Sequence, residues 1–181
     1  MILYRCFAWN AQAAPAAPDG PLWFPRPFQG EGRHDNPDLY GCLYGGERAA
    51  SCLVEHFSKF RGRIAKPSWF KQRGLPVALA ALELRDGALI DLDDPAVLTI
   101  EQLRPSRVAT RDRGVTQSQA RVLFTGHPSA MGLRWWSTFE ASWINVTLFD
   151  RAASLLRVHE VRTLTLEDPE VTEAAQTLGI R

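Results

Sequence analysis

The stretch LYGCLYGGERAASCLVEHFSKF, residues 39–60, is the part of this 181-residue chain that decides the fold. Its first part, Leu39 to Tyr44, is short and apolar and ends at Gly45-Gly46, which is typical of a β-strand followed by a turn. From Glu47 onward, apolar side chains recur at helical spacing and form one stripe: Ala50, Leu53, Val54, Phe57 and Phe60. The stretch therefore predicts a strand, a glycine turn and an amphipathic helix in succession.

Further strands and helices are predicted on both sides of this stretch. Met1 to Trp9 alternates like a first strand, and Val77–Leu84 with Ala88–Leu92 predicts a hairpin around Arg85-Asp86-Gly87. The remaining predicted elements are a helix from Asp94-Pro95 to about Leu103, a helix over 116–124, strands over 132–137 and 143–149, an extended segment over 155–166 and a helix from Asp168-Pro169 to about Leu178. Strands outnumber helices without regular βαβ alternation, so the predicted class is α+β.

Composition excludes several classes of function. The formal net charge is +1, with 21 Lys and Arg against 20 Asp and Glu, so we expect no direct contact with nucleic acid. Arg104, Arg107, Arg111 and Arg113 cluster around Asp112 without aromatic neighbours, which indicates a solvated loop or a partner surface. The three cysteines form no C-x-x-C pair and the four histidines lack zinc-ligand spacing, so no metal is expected. No signal peptide or membrane span is recognisable, and a cytoplasmic protein is expected.

Four features contain residues suited to chemistry, and each has a structural alternative. Arg33 follows glycines and could reach an anionic ligand, or it could be a surface arginine. Tyr44 ends a strand and suits either stacking on a flat ligand or the core. Glu55 lies beside the apolar stripe of the helix. It is either a carboxylate with a functional role or a solvent-exposed residue at the border of the apolar face. Ser137 has neither a G-x-S-x-G motif nor a His or Asp at a telling distance, so the catalytic triad of a serine hydrolase is unsupported.

The order and spacing of these residues resemble the RES domain family. Gly32-Arg33 is followed after ten residues by Tyr44 and after ten more by Glu55. Arg5 lies in a preceding strand, and Gly132-Leu-Arg-Trp-Trp-Ser137 and Asn145-Val-Thr-Leu-Phe149 follow. The resemblance covers roughly residues 3 to 160.

This resemblance implies a fold similar to that of mono-ADP-ribosyltransferases, with a split β core of two small mixed or antiparallel sheets and surrounding helices. It predicts one RES domain over residues 1–166 and a C-terminal helical tail, 167–181, packed on it. It also implies a toxin that consumes NAD+ as a substrate by hydrolysis or phosphorolysis, needs no metal and is neutralised by an Xre-type antitoxin. Homo-oligomers and toxin–antitoxin hetero-oligomers are both compatible with the family, and a membrane partner is not expected.

The family's site residues transfer onto positions that match its motif. Arg33, Tyr44 and Glu55 are the implied catalytic residues, with Glu55 stabilising the cationic ribose and Tyr44 packing on the nicotinamide. Arg5 and Arg33 would hold the pyrophosphate or orient its ribose. In addition, Ser137 and Asn145 are implied in NAD+ binding.

Two departures from the family leave the substrate open. His34-Asp35 follows Arg33 where many relatives carry an aromatic residue and Asn or Asp, and about 80 residues separate Glu55 from Ser137, which suggests an insertion. The alternatives are a mono-ADP-ribosyltransferase that modifies a protein, and a non-catalytic binding module that has kept the fold.

Overall fold

The first strand, β1 (Ile2–Ala8), is the centre of one of two units into which the chain divides. The computed structural model describes all 181 residues. Unit 1 comprises Met1–Trp23, Gly45–Leu84 and Arg157–Arg181, and unit 2 comprises Phe24–Tyr44 and Arg85–Leu156. No helix is long and apolar enough to span a membrane.

In unit 1, β1 pairs antiparallel with β4 (Leu75–Leu84) along its whole length, from Ile2 opposite Glu83 to Ala8 opposite Val77. The strand order is β3-β4-β1-β2, where β3 is Lys71–Gln72 and β2 is Cys42–Gly46, and β8 (Leu156–Thr163) also pairs with β4. β2 passes from unit 2 into unit 1 between Tyr44 and Gly45.

Two helices of unit 1 pack against each other. Helix α1 (Ala49–Phe57) buries the predicted apolar stripe, including Leu53, Val54 and Phe57. Helix α5 (Pro169–Leu178) packs on α1 and ends at Gly179, whose left-handed φ of 62° suits a residue without a side chain. This packing fixes the helix that carries Glu55.

Unit 2 has the strand order β2-β7-β6-β5, where β5 is Leu89–Asp91, β6 is Gly132–Trp136 and β7 is Ile144–Phe149. β6 pairs antiparallel with β7 and parallel with β5, so the sheet is mixed. At Gly132 an added Cβ would lie 2.3 Å from the Thr147 carbonyl oxygen, so close strand contact requires glycine there. Three helices follow β5: α2 (Pro95–Ile100), α3 (Pro105–Val108) and α4 (Arg113–Gly126).

The α+β class and most predicted elements are confirmed. The Asp94 side chain caps α2 by accepting from the Ala96 N–H, as the Asp-Pro signal predicts. The predicted hairpin is wrong, because β5 pairs with β6 and the Arg85 N–H is bonded to the Leu155 carbonyl. The strand predicted to end at Tyr44 instead continues through Gly45 and Gly46.

Each unit shields cysteine thiols. In unit 1 burial raises the pKa of Cys52 to about 12 and holds the pKa of Cys6 well above its usual value. In unit 2 burial, helped by nearby Asp35, raises the pKa of Cys42. All three side chains are free thiols, and they are in the protonated, unreactive form at neutral pH.

Candidate functional site

The predicted site residues fall into both units. Unit 2 contains Arg33, Tyr44, Ser137 and Asn145, and unit 1 contains Arg5 and Glu55.

The loop from Gly30 to Tyr40, hereafter the Gly-Arg loop, is organised by the buried carboxylate of Asp35. Its Oδ2 accepts hydrogen bonds from the backbone N–H groups of Gly30 (2.9 Å) and Gly32 (2.7 Å). Its Oδ1 accepts from the Tyr44 hydroxyl at 2.7 Å. A Cβ at Gly32 would lie 2.5 and 2.6 Å from the two carboxylate oxygens and 2.6 Å from Tyr44 Oη. Gly32 is therefore required by the space that the carboxylate fills.

Tyr44 connects β2 to this loop through its hydroxyl. Besides donating to Asp35, the oxygen accepts from the His34 backbone N–H at 2.9 Å. Burial, with nearby Cys42 and Asp35 adding to it, holds the pKa of Tyr44 well above its ordinary value, so the proton stays on the donor. The hydroxyl thus holds the loop, while packing of the ring on nicotinamide remains a prediction.

Arg33 is 7% exposed, and its side chain is held in unit 2. Its Nη1 donates to the carbonyls of Val108 (2.9 Å) and Thr110 (2.8 Å), and its guanidinium lies 4.7 Å from the centre of the Trp135 ring. The Thr116 hydroxyl donates to the Arg33 carbonyl at 2.6 Å. The alternative that Arg33 is a surface arginine is therefore wrong, because its guanidinium is buried and held in a fixed position.

Helix α4 holds the Gly-Arg loop from another side. The Gln117 side-chain amide donates to the carbonyls of Gly30 and Gly32, both at 2.9 Å. The Gln117 backbone carbonyl accepts from the Asn36 amide at 3.0 Å. The backbone of Gly30 and Gly32 is thus hydrogen-bonded on both sides: the N–H groups donate to Asp35 and the carbonyls accept from Gln117.

His34 forms a buried polar chain with the β6–β7 pair. Its Nδ1 lies 2.8 Å from Thr147 Oγ, which also accepts from the Trp135 indole N–H at 3.0 Å. The imidazole meets Trp135 edge-on at 5.4 Å. Burial, assisted by Arg33 and Arg113, holds the His34 pKa well below its ordinary value, so the ring is neutral. The chain of contacts fixes the ring next to Arg33.

Ser137 and Asn145 are both buried, at 2% and 3% exposure, on the β6–β7 pair. Asn145 lies opposite Trp135 in the register of the two strands. Ser137 directly follows β6, its N–H donates to the Trp143 carbonyl at 2.7 Å, and its hydroxyl accepts from the Phe139 N–H at 3.2 Å. The role of these two residues in NAD+ binding, which the resemblance implies, stays a prediction.

In unit 1, Arg5 points into the interior. It is 6% exposed, its Nη1 donates to the Pro21 carbonyl at 2.6 Å, and its guanidinium lies 4.8 Å from the Phe7 ring centre. Burial lowers the Arg5 pKa to about 10, so the side chain still carries its charge at neutral pH. Glu55 lies on α1, partly buried, and its charge contributes to the raised pKa of Cys52. Unit 1 thus supplies one buried cation and one carboxylate.

The sequence interpretation did not assign roles to Asp35, Thr147 or Gln117. The signal that could have identified Asp35 is its spacing: an Asp three and five residues after two glycines can bond the backbone N–H groups of both. Thr147 and Gln117 gave no comparable signal, because their partners are distant in sequence. No group of three or more His, Cys, Asp or Glu side chains is placed to hold a metal ion.

Comparison with known proteins identifies the family. The family model of the RES domain matches residues 2–169. This chain belongs to the RES domain family.

A solved structure similar to this RES domain is the crystal structure of the M. tuberculosis MbcT-MbcA toxin–antitoxin complex. The match has a TM-score of 0.62 and 17% sequence identity, and it covers 98% of this chain and 88% of that chain. At this identity the likeness establishes a shared fold. No curated protein sequence matches this RES domain.

Proposed function

We propose that this RES domain is an enzyme that cleaves the nicotinamide–ribose bond of NAD+ and acts as the toxin of a toxin–antitoxin pair. Membership of the RES family supports the proposal, as does the similarity of the fold to the crystal structure of a toxin–antitoxin complex. The observation that carries it is the arrangement around Arg33: the carbonyls of Val108 and Thr110 and the Trp135 ring hold its buried guanidinium, and the Thr116 hydroxyl holds its backbone carbonyl. A preorganised guanidinium suits the pyrophosphate of a dinucleotide.

The chemistry requires charge stabilisation and no metal. The C1′–N bond of the nicotinamide riboside breaks, and its electron pair goes to the pyridinium nitrogen, so nicotinamide leaves neutral. Positive charge develops on the ribose, and the oxygen of water or phosphate attacks C1′, with loss of a proton when water attacks. A carboxylate near C1′ lowers the energy of this oxocarbenium-like state.

In the proposal, each role belongs to a residue that matches the motif of the family. Glu55 stabilises the ribose cation, and Arg33 and Arg5 neutralise the pyrophosphate charge. Ser137 and Asn145 offer hydroxyl and amide groups to the nicotinamide ribose. Tyr44 keeps the Gly-Arg loop in place through Asp35 and packs its ring on the nicotinamide.

The test is product analysis of NAD+ incubated with purified protein, with and without phosphate. We expect free nicotinamide together with ADP-ribose or its phosphate ester. Glu55→Gln removes the charge at nearly constant size and should slow the reaction about 100-fold or more. Glu83→Gln, an exposed carboxylate of β4 in the same unit, is the matched control and should keep the rate.

Each product distinguishes one function. ADP-ribose indicates hydrolysis, and the phosphate ester indicates phosphorolysis. Nicotinamide release that needs a cell extract, with label transferred to a protein, indicates a mono-ADP-ribosyltransferase. NAD+ that remains intact under all conditions, yet raises the melting temperature, indicates a binding module and refutes the enzyme.

The antitoxin part of the proposal is tested in cells. Expression of the chain should arrest growth and deplete NAD+, the Glu55→Gln protein should do neither, and an Xre-type antitoxin should relieve the arrest. Growth arrest by the Glu55→Gln protein at equal expression would contradict toxicity through NAD+ loss.

A further inference from the structure

The surface of unit 1 contains a segment with strongly unbalanced charge. Between His56 and Leu82 there are six Lys or Arg and no Asp or Glu, and all three lysines of the chain are among them. Because the whole chain has a net charge of +1, the remaining residues together carry −5. We name residues 59–73 the basic segment; its cations are Lys59, Arg61, Arg63, Lys66, Lys71 and Arg73. The near-neutral total therefore hides a local excess of positive charge.

Most of these cations make no ion pair within the molecule. All six are exposed. Arg73 pairs with Asp19, and the Lys59 ammonium lies 5.1 Å from the Phe60 ring centre. The other four, Arg61, Arg63, Lys66 and Lys71, make no ion pair or side-chain hydrogen bond. Like charges held together without partners repel one another, and an external anion would relieve that repulsion.

The backbone beneath these charges is anchored. The Gly62 N–H donates to the Leu178 carbonyl at 3.0 Å, and the Ala65 N–H donates to a main-chain oxygen of Arg181 at 2.7 Å. The Phe60 and Trp69 rings stack at 3.9 Å with an interplanar angle of 3°. The cations therefore project from a preorganised surface, which lowers the entropic cost of binding.

The chemistry of the basic segment favours one kind of partner. The cores of protein–protein interfaces are depleted in lysine, and the large apolar side chain that this segment exposes is Ile64, at 66%. One such side chain is too little for a membrane-inserting face. The Phe60 ring stacks on Trp69 and contacts the Lys59 ammonium, so it already has partners within the segment. What remains available is a set of exposed lysine and arginine side chains without ion-pair partners, which suits phosphates along a nucleic-acid backbone.

We propose that the basic segment binds the phosphate backbone of nucleic acid without reading its bases. This differs from the expectation drawn from the total charge, because binding depends on where the cations lie and not on their sum. The proposal is independent of NAD+ cleavage and survives if that activity is absent.

The experiment measures binding of the full chain to a fluorescein-labelled DNA duplex of about 20 base pairs by anisotropy, from about 50 to about 200 mM salt. Four phosphate contacts predict a slope of log affinity against log salt near about −4, which is a loss of about 100-fold over this range. The variant R61Q/R63Q/K66Q/K71Q should reduce the slope to about −1 or less. These side chains have no partners in the fold, so the melting temperature should be unchanged.

The matched control is R104Q/R107Q/R111Q/R113Q, which neutralises four exposed arginines of unit 2 and gives the same net charge of −3. The control should retain the wild-type affinity and slope. Equal losses in the two variants would overturn the proposal, because binding would then follow total charge. Tighter binding to poly-glutamate, or to phosphatidylserine vesicles, than to the duplex at equal charge would also overturn it.

Discussion

Gly32→Ala is the most direct test of how the Gly-Arg loop is built. The added methyl group would lie 2.5 and 2.6 Å from the Asp35 carboxylate oxygens and 2.6 Å from the Tyr44 hydroxyl. Since real Cβ atoms do not approach this closely, the carboxylate must move. It would then weaken its bonds to the N–H groups of Gly30 and Gly32 and to Tyr44.

The expected magnitude follows from these contacts. Hydrogen bonds to a charged group contribute about 1.5–3 kcal/mol each, and overpacking a filled site costs about 1–3 kcal/mol. The terms overlap because one displacement causes both, so we expect a loss of about 3 kcal/mol. In a domain of this size that corresponds to a melting temperature lower by roughly 6–12 °C.

The assay is thermal unfolding followed by circular dichroism, with urea unfolding as a second measure. Gly126→Ala is the control, because a Cβ there meets no atom within 4 Å and the residue ends helix α4 in the same unit. It should be neutral or slightly stabilising. If Gly32→Ala unfolds within about 1 °C of the wild type, Asp35 does not anchor the loop as described.

Two further predictions concern stability. Burial, with a smaller effect of Lys59, lowers the pKa of His56 from 6.5 to about 4. Between pH 4 and pH 6.5 the unfolded chain therefore binds a proton at His56 that the folded chain does not. The free energy of unfolding should therefore fall as the pH drops from 6.5 to 4, by up to about 3 kcal/mol, and His56→Gln should flatten the curve measured in urea; an unchanged slope would refute this origin. Arg151 donates to the Phe124 carbonyl at 3.0 Å and to the carbonyls of His127 and Pro128 at the end of α4, with its guanidinium 3.7 Å from the Phe124 ring centre. Arg151→Met should cost about 2 kcal/mol in urea unfolding, and a loss below about 0.5 kcal/mol would show that this contact is not stabilising.

Local patterns predict the elements well because their causes are local. The apolar stripe of α1, the Asp-Pro starts of α2 and α5 and the glycine after α5 lie within a few residues of what they determine. The prediction fails where pairing is chosen by distant partners. β5 has three residues and pairs with β6, more than 40 positions away, which the adjacent turn residues do not reveal.

The same distinction applies to the candidate site. Arg33 and Tyr44 are recognisable by spacing, but the sequence does not show that Arg33 bonds the carbonyls of Val108 and Thr110. The spacing between Glu55 and Ser137 suggests an insertion, and part of this segment holds the Gly-Arg loop of unit 2 through Gln117 and Thr116. These contacts join residues more than 70 positions apart, and a single sequence does not encode them in any local pattern.

The shielded cysteines make local opening of the two units separately measurable. A thiol reagent attacks the thiolate, and burial keeps Cys52 in unit 1 and Cys42 in unit 2 in the protonated form. Labelling of either thiol must therefore wait for the structure around it to open. With the other cysteines replaced by serine or alanine, the labelling rate of Cys42 reports on unit 2, and that of Cys52 reports on unit 1. The two labelling rates can therefore be measured separately when NAD+ or a partner protein is added, and each shows whether its own unit opens more or less often.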